Sequence, residues 1–460
     1  MATVSKLLLL LFYSYCSLVA HAGDSPSYIT GSVKTEAVCS EPKAAPSSSA
    51  GATVTLHHRH GPCSLTPTKQ TLNVEKILLS DQLRASNIQR LLSAAANATG
   101  DAQKLEATLP TTLGAALDTL QYVINVSIGT PAVTQTVMID TGSDISWVHC
   151  KPCSPCHAQV DPVFDPSKST TYSTFSCGSA ACAQLGVDGG AAGCSGSQCQ
   201  YIVRYLDGSN TTGTYSSDTL TLGPNVVTDF QFGCSSAGSG FEVEKTAGLM
   251  GLGGGAQSLV TQTAATFGPA FSYCLPTPQA SSGFLTLGAP SGGGGNFTTT
   301  RMLRSRQVPT FYIVLLEEIR VGGRRVNVAP TVFSAGSVMD SGTIITRLPP
   351  RAYSAMRSAF RAGMLQYPLA KPLEILDTCY DFGNLTRVSV PTVELVFDGG
   401  AVVDLDFDGI MIFDSCLAFA PSDDGGASSV PSIIGNVQQR TFEVLHDVGR
   451  RTIGFRAGAC

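Results

Sequence analysis

Two stretches of the chain carry the residue types of acid–base chemistry at matched spacing: Val137-Met138-Ile139-Asp140-Thr141-Gly142-Ser143 and Ser337-Val338-Met339-Asp340-Ser341-Gly342-Thr343. In each, an apolar run delivers an aspartate into a tight turn whose glycine lets the backbone approach closely. Hydroxyl residues on both sides of that glycine can bond to the carboxylate. A single Asp-Thr-Gly is most often only a turn at a strand end, but two copies in the same setting form a candidate pair. Two carboxylates sharing one site repel when both are ionised, so one stays protonated near neutral pH. The charged partner can then take a proton from a water that attacks a peptide carbonyl, while the protonated partner donates to the developing oxyanion.

Such a pair needs a strand to deliver each aspartate. Downstream of the first motif lies Ala247-Gly248-Leu249-Met250-Gly251, and downstream of the second Ser432-Ile433-Ile434-Gly435, each an apolar stretch closing on glycine. This internal repeat predicts two related β lobes, joined in the Gly/Ser/Thr-rich stretch 291–300. From residue 120 onward, short β-branched and aromatic runs are broken by Gly, Pro, Asn and Asp. They cover 122–128, 136–139, 201–205, 219–222, 311–316 and 388–396. Many short strands with frequent turn signals predict an all-β architecture. The alternation of strands with long helices that marks a parallel α/β sheet is missing. Helical pieces are expected only at 258–266 and 350–364.

Composition agrees with a folded, turn-rich chain. Of 460 residues, 43% are hydrophobic, 14% are charged and 47 are glycine, which supplies core and turn material and argues against extensive disorder. A formal charge of −5 with both signs interspersed gives no electrostatic reason to expect nucleic acid or an anionic membrane as partner. Lys6, the apolar run from Leu7 to Val19 and the small-residue pattern Ala20-His21-Ala22 read as a secretory signal peptide over residues 1–22. The run is short of the roughly 20 apolar residues that span a bilayer. A soluble, secreted, extracellular protein is expected, with the vacuole as an alternative destination.

Residues 23–112 differ from the rest and read as a prosegment. A Ser/Ala/Pro-rich stretch and the basic patch His57-His58-Arg59-His60 precede Val74, Ile77, Leu78, Ile88, Leu91 and Leu92 at helical spacing. One amphipathic helix with flexible flanks is expected, the basic segment lying over an acidic cleft at neutral pH and loosening on acidification. The lobes then cover 113–300 and 301–460.

Of 15 cysteines, Cys16 leaves with the signal, and Cys39 and Cys63 fall in the prosegment. The twelve others form an even set, which in a secreted chain reads as up to six disulfides. Cys150, Cys153 and Cys156, flanked by His149 and His157, also have spacing suited to tetrahedral zinc. Oxidation explains them better in a secreted chain, with Cys177, Cys182, Cys194 and Cys199 as nearby partners, so neither a metal nor a cofactor is expected. Sequons at Asn97, Asn125, Asn210, Asn296 and Asn384 fit glycosylation on the secretory route.

The two motifs, Trp147, the segment Tyr205-Leu206-Asp207-Gly208-Ser209 and the glycine-closing stretches together resemble pepsin-like aspartic proteases over about residues 115–460. The cysteine-rich insert 150–199 and the segment Leu56-His57-His58-Arg59-His60-Gly61-Pro62-Cys63 resemble the plant nepenthesin-like group within that family. No saposin-like insert is evident. The resemblance implies a bilobal fold with a catalytic cleft between the lobes, synthesis as a zymogen, a monomer, and protein or peptide substrates laid as a strand across the cleft. It makes Asp140 and Asp340 the catalytic dyad, supported by Gly142 and Gly342. Ser143 and Thr343 would bond to its outer oxygens, and Thr141 and Ser341 would brace the two loops against each other. Tyr205 falls at the place of the flap tyrosine and Trp147 at that of its hydrogen-bonding partner. Leu206 stands where the family usually has glycine. A disulfide Cys379–Cys416 is implied as well, and Cys274 is paired with Cys460 in this reading. The rival on the same fold is a catalytically inactive binder or inhibitor, which loss of either aspartate would mark; both are present.

Overall fold

The computed structural model describes residues 26–33, 39, 51–66, 73–97, 121–187, 191–204, 210–239, 245–279, 282–289, 297–423 and 430–458. The expected signal peptide, Tyr205 with its flap neighbours, Asn296 and Cys460 lie outside these residues.

Strands dominate, and each aspartate motif is built the same way. Val133–Asp140 runs parallel to Gly248–Gly251 with Asp140 opposite Gly251, while Ser337–Met339 runs parallel to Ser432–Ile434. Val137, Met138 and Ile139 are all buried, as are Ser337, Val338 and Met339. Parallel strands covered on both faces require such unbroken apolar runs rather than alternation. The predicted repeat is therefore a repeated pair of parallel strands.

The lobes share a sheet. The last two strands of the chain, Glu443–Asp447 and Thr452–Arg456, pair with each other, and Glu443–Asp447 also pairs with Ala270–Cys274 of the first lobe. This bridging sheet continues through Gly283–Leu287, Ala52–His58 and Tyr122–Ile128 to the strand that carries Asp140. The two motifs are thus set by one hydrogen-bonded framework. Helices fall where expected, at Leu259–Gln262, Ala264–Phe267 and Pro350–Ala362, the first of them capped by Ser258 accepting from the Thr261 amide. A short helix at Ala180–Val187, inside the cysteine-rich insert, was not expected. Among the described residues no helix is long and apolar enough to cross a membrane.

The N-terminal segment is more ordered than a helix with flexible flanks. Tyr28–Ser32 pairs antiparallel with Arg387–Pro391 of the second lobe. Ala52–His58 inserts between Gly283–Leu287 and Tyr122–Ile128 in the bridging sheet. Ala52, Leu56 and His58 point inward in that strand, so the histidine patch does not cover a cleft. Burial holds the His58 imidazole well below its ordinary range, helped by Arg440, His60 and Arg59. It sits edge-on to Tyr122 as a neutral core residue. The expected helix is present as Val74–Asn97. Ile77 and Leu78 pack with Ile344, Ile345 and Ala418, and Ala85, Ile88, Leu91 and Leu92 pack with Phe311, Val338 and Ile433, so the helix lies against the second lobe.

Disulfides join Cys379–Cys416, as the resemblance implied, and also Cys39–Cys63, Cys150–Cys234, Cys153–Cys156, Cys177–Cys194 and Cys182–Cys199. Parallel pairing of Val148 with Cys234 brings Cys150 to Cys234, a partner outside the insert. Cys274 is disulfide-bonded. The ligand atoms of His149, Cys153 and Cys156 gather within 4.8 Å, but both sulfurs are committed to an S–S bond and offer no thiolate. Asn125 and Asn384 are exposed, and Asn210 donates from its amide to Ser239 Oγ at 2.7 Å.

The Cys379–Cys416 bond closes a loop with a sequence separation of 37, and loop-closure entropy assigns such a bond about 4 kcal/mol. Replacing both cysteines by alanine is expected to lower the unfolding free energy by roughly 2–5 kcal/mol; urea denaturation followed by fluorescence measures the loss.

Candidate active site

Asp140 ends its strand and Asp340 follows its own, with the Asp340 amide donating to Ile434 O at 3.1 Å and the Leu252 amide to Asp140 O at 2.8 Å. Each motif is therefore pinned to the glycine-closing stretch of its own lobe. The two loops then grip each other. Thr141 N donates to Ser341 Oγ at 3.1 Å and Ser341 N donates to Thr141 Oγ1 at 2.9 Å. This reciprocal pair is the brace expected of Thr141 and Ser341.

Both carboxylates are fully buried. Gly142 N donates to Asp140 Oδ1 at 2.9 Å, and Gly342 N to Asp340 Oδ1 at 3.3 Å. A Cβ at Gly142 would stand 2.7 Å from Asp340 Oδ1, and one at Gly342 2.5 Å from Asp140 Oδ1. Only glycine leaves room for the two carboxylates to meet. Thr343 Oγ1 donates to Asp340 Oδ2 at 2.5 Å, as expected of it. Ser143 departs from that symmetry: its Oγ is buried with no partner among the described residues. The outer oxygen of Asp140 is met instead by an arginine.

That arginine is Arg84, on the helix Val74–Asn97. Its Nη2 stands 2.7 Å from Asp140 Oδ1 and 2.7 Å from Asp340 Oδ1. Its Nε donates to Asp340 Oδ2 at 2.8 Å and its Nη1 to Asp140 Oδ2 at 3.3 Å. One planar guanidinium thus forks across both carboxylates, a geometry that a lysine ammonium cannot reproduce. Three residues earlier, Asp81 bonds to the Ile344 and Ile345 amides and to Arg347. Arg84 and Asp81 were missed in the sequence because they lie within the helix's apolar stripe. Charged residues on a buried face were the available signal, since such groups are kept there only when paired.

Burial and the neighbouring Asp340 push the Asp140 carboxyl above its ordinary range, against the pull of Arg84. For Asp340 burial also pushes upward, but Arg84, Thr343 and Gly342 outweigh it and hold the carboxyl below that range. The donors on the Asp340 side make it the more readily ionised member, leaving Asp140 as the natural holder of a shared proton.

Trp147 is buried among Val123, Met138, Tyr201, Tyr215 and Leu249, tilted 5.4 Å from the His149 ring. It stands on a strand beside the first motif, antiparallel to Gly248–Gly251. Asp144, which sequence reasoning did not single out, accepts from Gly255 N at 2.8 Å and from Thr310 Oγ1 at 2.6 Å. It ties the loop after the first aspartate to the start of the second lobe.

Comparison with known proteins agrees with this geometry. Residues 122–289 match the family described as xylanase inhibitor N-terminal, and residues 311–457 the one described as xylanase inhibitor C-terminal. An aspartyl protease family protein of Arabidopsis thaliana is 39% identical over 88% of this chain and 86% of its own length. The chain belongs to the plant nepenthesin-like aspartic protease family. Aspartic proteinase nepenthesin-1 of Nepenthes gracilis is 34% identical over 74% of this chain and 78% of its own. The crystal structure of basic 7S globulin from soybean shares the fold, with a TM-score of 0.56 and 20% identity over 73% of this chain and 91% of that one. This nepenthesin-like chain is an aspartic endopeptidase with an all-β, two-lobed fold.

Replacing Ser341 by alanine removes the acceptor of the Thr141 amide and is expected to cost about 1–3 kcal/mol in urea unfolding. Arg84→Met leaves two buried carboxylates without a counter-charge, which is expected to cost about 3–5 kcal/mol at pH 7. The sign with pH follows from Asp340, whose folded carboxyl lies below its unfolded value: its stabilisation is present above the unfolded range near 4 and is lost as pH falls through the folded value. Neutral carboxyls need no counter-charge, so the penalty of Arg84→Met shrinks as pH drops below about 4. Rapid-mixing unfolding of wild type and variant at pH 7 and pH 3.5, on chains still intact by mass spectrometry, measures the difference.

Proposed function

We propose that this endopeptidase is secreted as an inactive precursor and cuts extended peptides in the cleft between its lobes after the segment bearing Arg84 is removed. The single observation that carries the reading is the Arg84 guanidinium forked across both catalytic carboxylates. While it sits there, no water can take the place between them, and neither carboxylate can serve as base. Acidification supplies the release: protonation of the dyad removes the charge that Arg84 answers, and the helix loses its strongest anchor.

Once the site is open, the ionised aspartate of the pair takes a proton from the bound water as its oxygen attacks the peptide carbonyl carbon. The protonated aspartate gives its proton to the carbonyl oxygen, yielding a neutral tetrahedral intermediate. The proton taken from water then passes to the leaving nitrogen while the other aspartate takes one back from a hydroxyl of the intermediate, so the C–N bond breaks and one shared proton is left on the dyad. The loop brace between Thr141 and Ser341 keeps the carboxylates at one separation through these transfers. Protein and peptide chains are the substrates, and an extended segment fits a cleft bordered by strands. A monomeric, extracellular enzyme is the form this reading takes, supported by the secretory pattern of residues 1–22 and the disulfides of both lobes.

Two measurements test it. Purified precursor held at about pH 3, below the ordinary carboxylate range, is expected to shorten to a chain beginning after residue 97, as read by mass spectrometry of the new N-terminus, and to gain pepstatin-sensitive peptidase activity together with the shortening. A precursor that stays intact and inactive there would refute the zymogen reading. Asp140→Asn is expected to lower kcat by at least about a thousandfold in the same assay; cleavage equal to wild type would remove Asp140 from the chemistry.

A further inference from the structure

The helix Val74–Asn97 places a second charged group against the second lobe. Asp81 is fully buried; its Oδ1 accepts from Ile344 N at 2.6 Å, and its Oδ2 accepts from Ile345 N at 3.2 Å and from Arg347 Nη2 at 2.9 Å. The two amides belong to the residues directly after Thr343, which itself bonds to Asp340. Arg347 follows on the strand Thr346–Leu348, fully buried. Its Nη1 donates to Ile345 O at 3.3 Å, and its Nε has no partner among the described residues. Asp81 is its one ion-pair partner among those residues. The other titratable group felt by Arg347 is Tyr353, whose hydroxyl donates to Asp377.

These donors belong to the second lobe, whereas the carboxylate they hold belongs to the segment that must leave. Withdrawal of the helix strands a guanidinium and two aligned backbone amides, a donor set matched in charge and shape to one carboxylate. Leaving such a buried cation unanswered is costly, so a ligand carboxylate that restores the pairing binds with advantage. Asp81 and Arg84 are three residues apart on one helix, roughly 4.5 Å along its axis. An extended peptide advances about 3.3 Å per residue, so the stranded donors lie within about three residues of the bond held at the dyad.

We propose that Arg347, with the Ile344 and Ile345 amides, forms a carboxylate-binding subsite of the open cleft that selects substrates carrying Asp or Glu within about three residues of the scissile bond. The helix occupies that subsite with its own aspartate before it is removed. This inference rests on the reading above that the helix departs. Arg347 acts here in substrate selection and takes no part in bond cleavage.

The test uses matured enzyme and matched peptide pairs that differ only in Asp against Asn, or Glu against Gln, at each position up to three residues either side of one cleaved bond. At pH 5, where peptide carboxylates are ionised, one position is expected to favour the acid by at least about tenfold in kcat/KM, chiefly through KM. At pH 3 that preference falls towards unity, because the peptide carboxyl is protonated while its amide counterpart is unchanged. Titration of the dyad affects both members of a pair alike and cancels in the ratio. Arg347→Gln is expected to abolish the preference while still cleaving the amide peptides. Equal cleavage of acid and amide at every position by wild type at pH 5, or a preference that survives in Arg347→Gln, overturns the subsite. Should Arg347→Gln cleave nothing, the wild-type ratio at the two pH values decides alone. Cleavage undiminished in Asp140→Asn would overturn the protease mechanism instead, so the two failures are told apart.

Discussion

Two carboxylates buried within reach of one another form a site that resists its own assembly. Each would be costly to bury alone, and together they add repulsion. The surrounding structure answers with donors: amides from Gly142 and Gly342, the Thr343 hydroxyl, and the Arg84 guanidinium. It also answers with rigidity, through the crossed Thr141–Ser341 bonds and the parallel strands that seat each aspartate. The same repulsion that burdens the folded site favours one proton shared between the pair, the proton on which the proposed reaction draws.

Positioning two motifs from distant parts of a chain requires a frame common to both lobes. The sheet that runs from the C-terminal strands through Ala270–Cys274 to the strand bearing Asp140 supplies it. Ala52–His58 completes this sheet between Gly283–Leu287 and Tyr122–Ile128, so the N-terminal segment contributes to the framework as well as to the cleft. A strand in the frame and a helix across the dyad give that segment two different attachments. The strand is held by backbone hydrogen bonds on both edges, whereas the helix is held in part by ion pairs to carboxylates.

Much of this was legible in the residues. The unbroken apolar runs before Asp140 and Asp340, the glycine-closing stretches, and the punctuation by Gly, Pro and Asn specified two related β lobes, and the helices at 259–267 and 350–362 followed from local pattern, whereas the parallel pairing of the strands did not. The helix at 74–97 was visible from the spacing of Ile77, Leu78, Ile88 and Leu91. Its two most consequential residues were not, because Asp81 and Arg84 are charged and periodicity counts only apolar positions. The histidine patch misled in the opposite direction. His57 and His58 read as a basic patch over an acidic cleft, yet they sit in a strand whose alternation buries His58 against Tyr122.

What the sequence determined by itself is chemistry local to a few residues: which aspartates end apolar strands, which glycines let backbones close, which hydroxyls flank them. Hydrogen bonds of a turn and the period of a strand act over neighbours, so the order of residues suffices to reveal them. Only the tertiary structure decided which charges meet. Arg84 reaches Asp340 across 256 positions, and Asp81 reaches Arg347 across 266. The pairing of Cys150 with Cys234, 84 residues away, is of the same kind. Contacts at such separations depend on how whole sheets and helices stack, because burial and charge pairing are properties of the enclosed space and have no period along the chain.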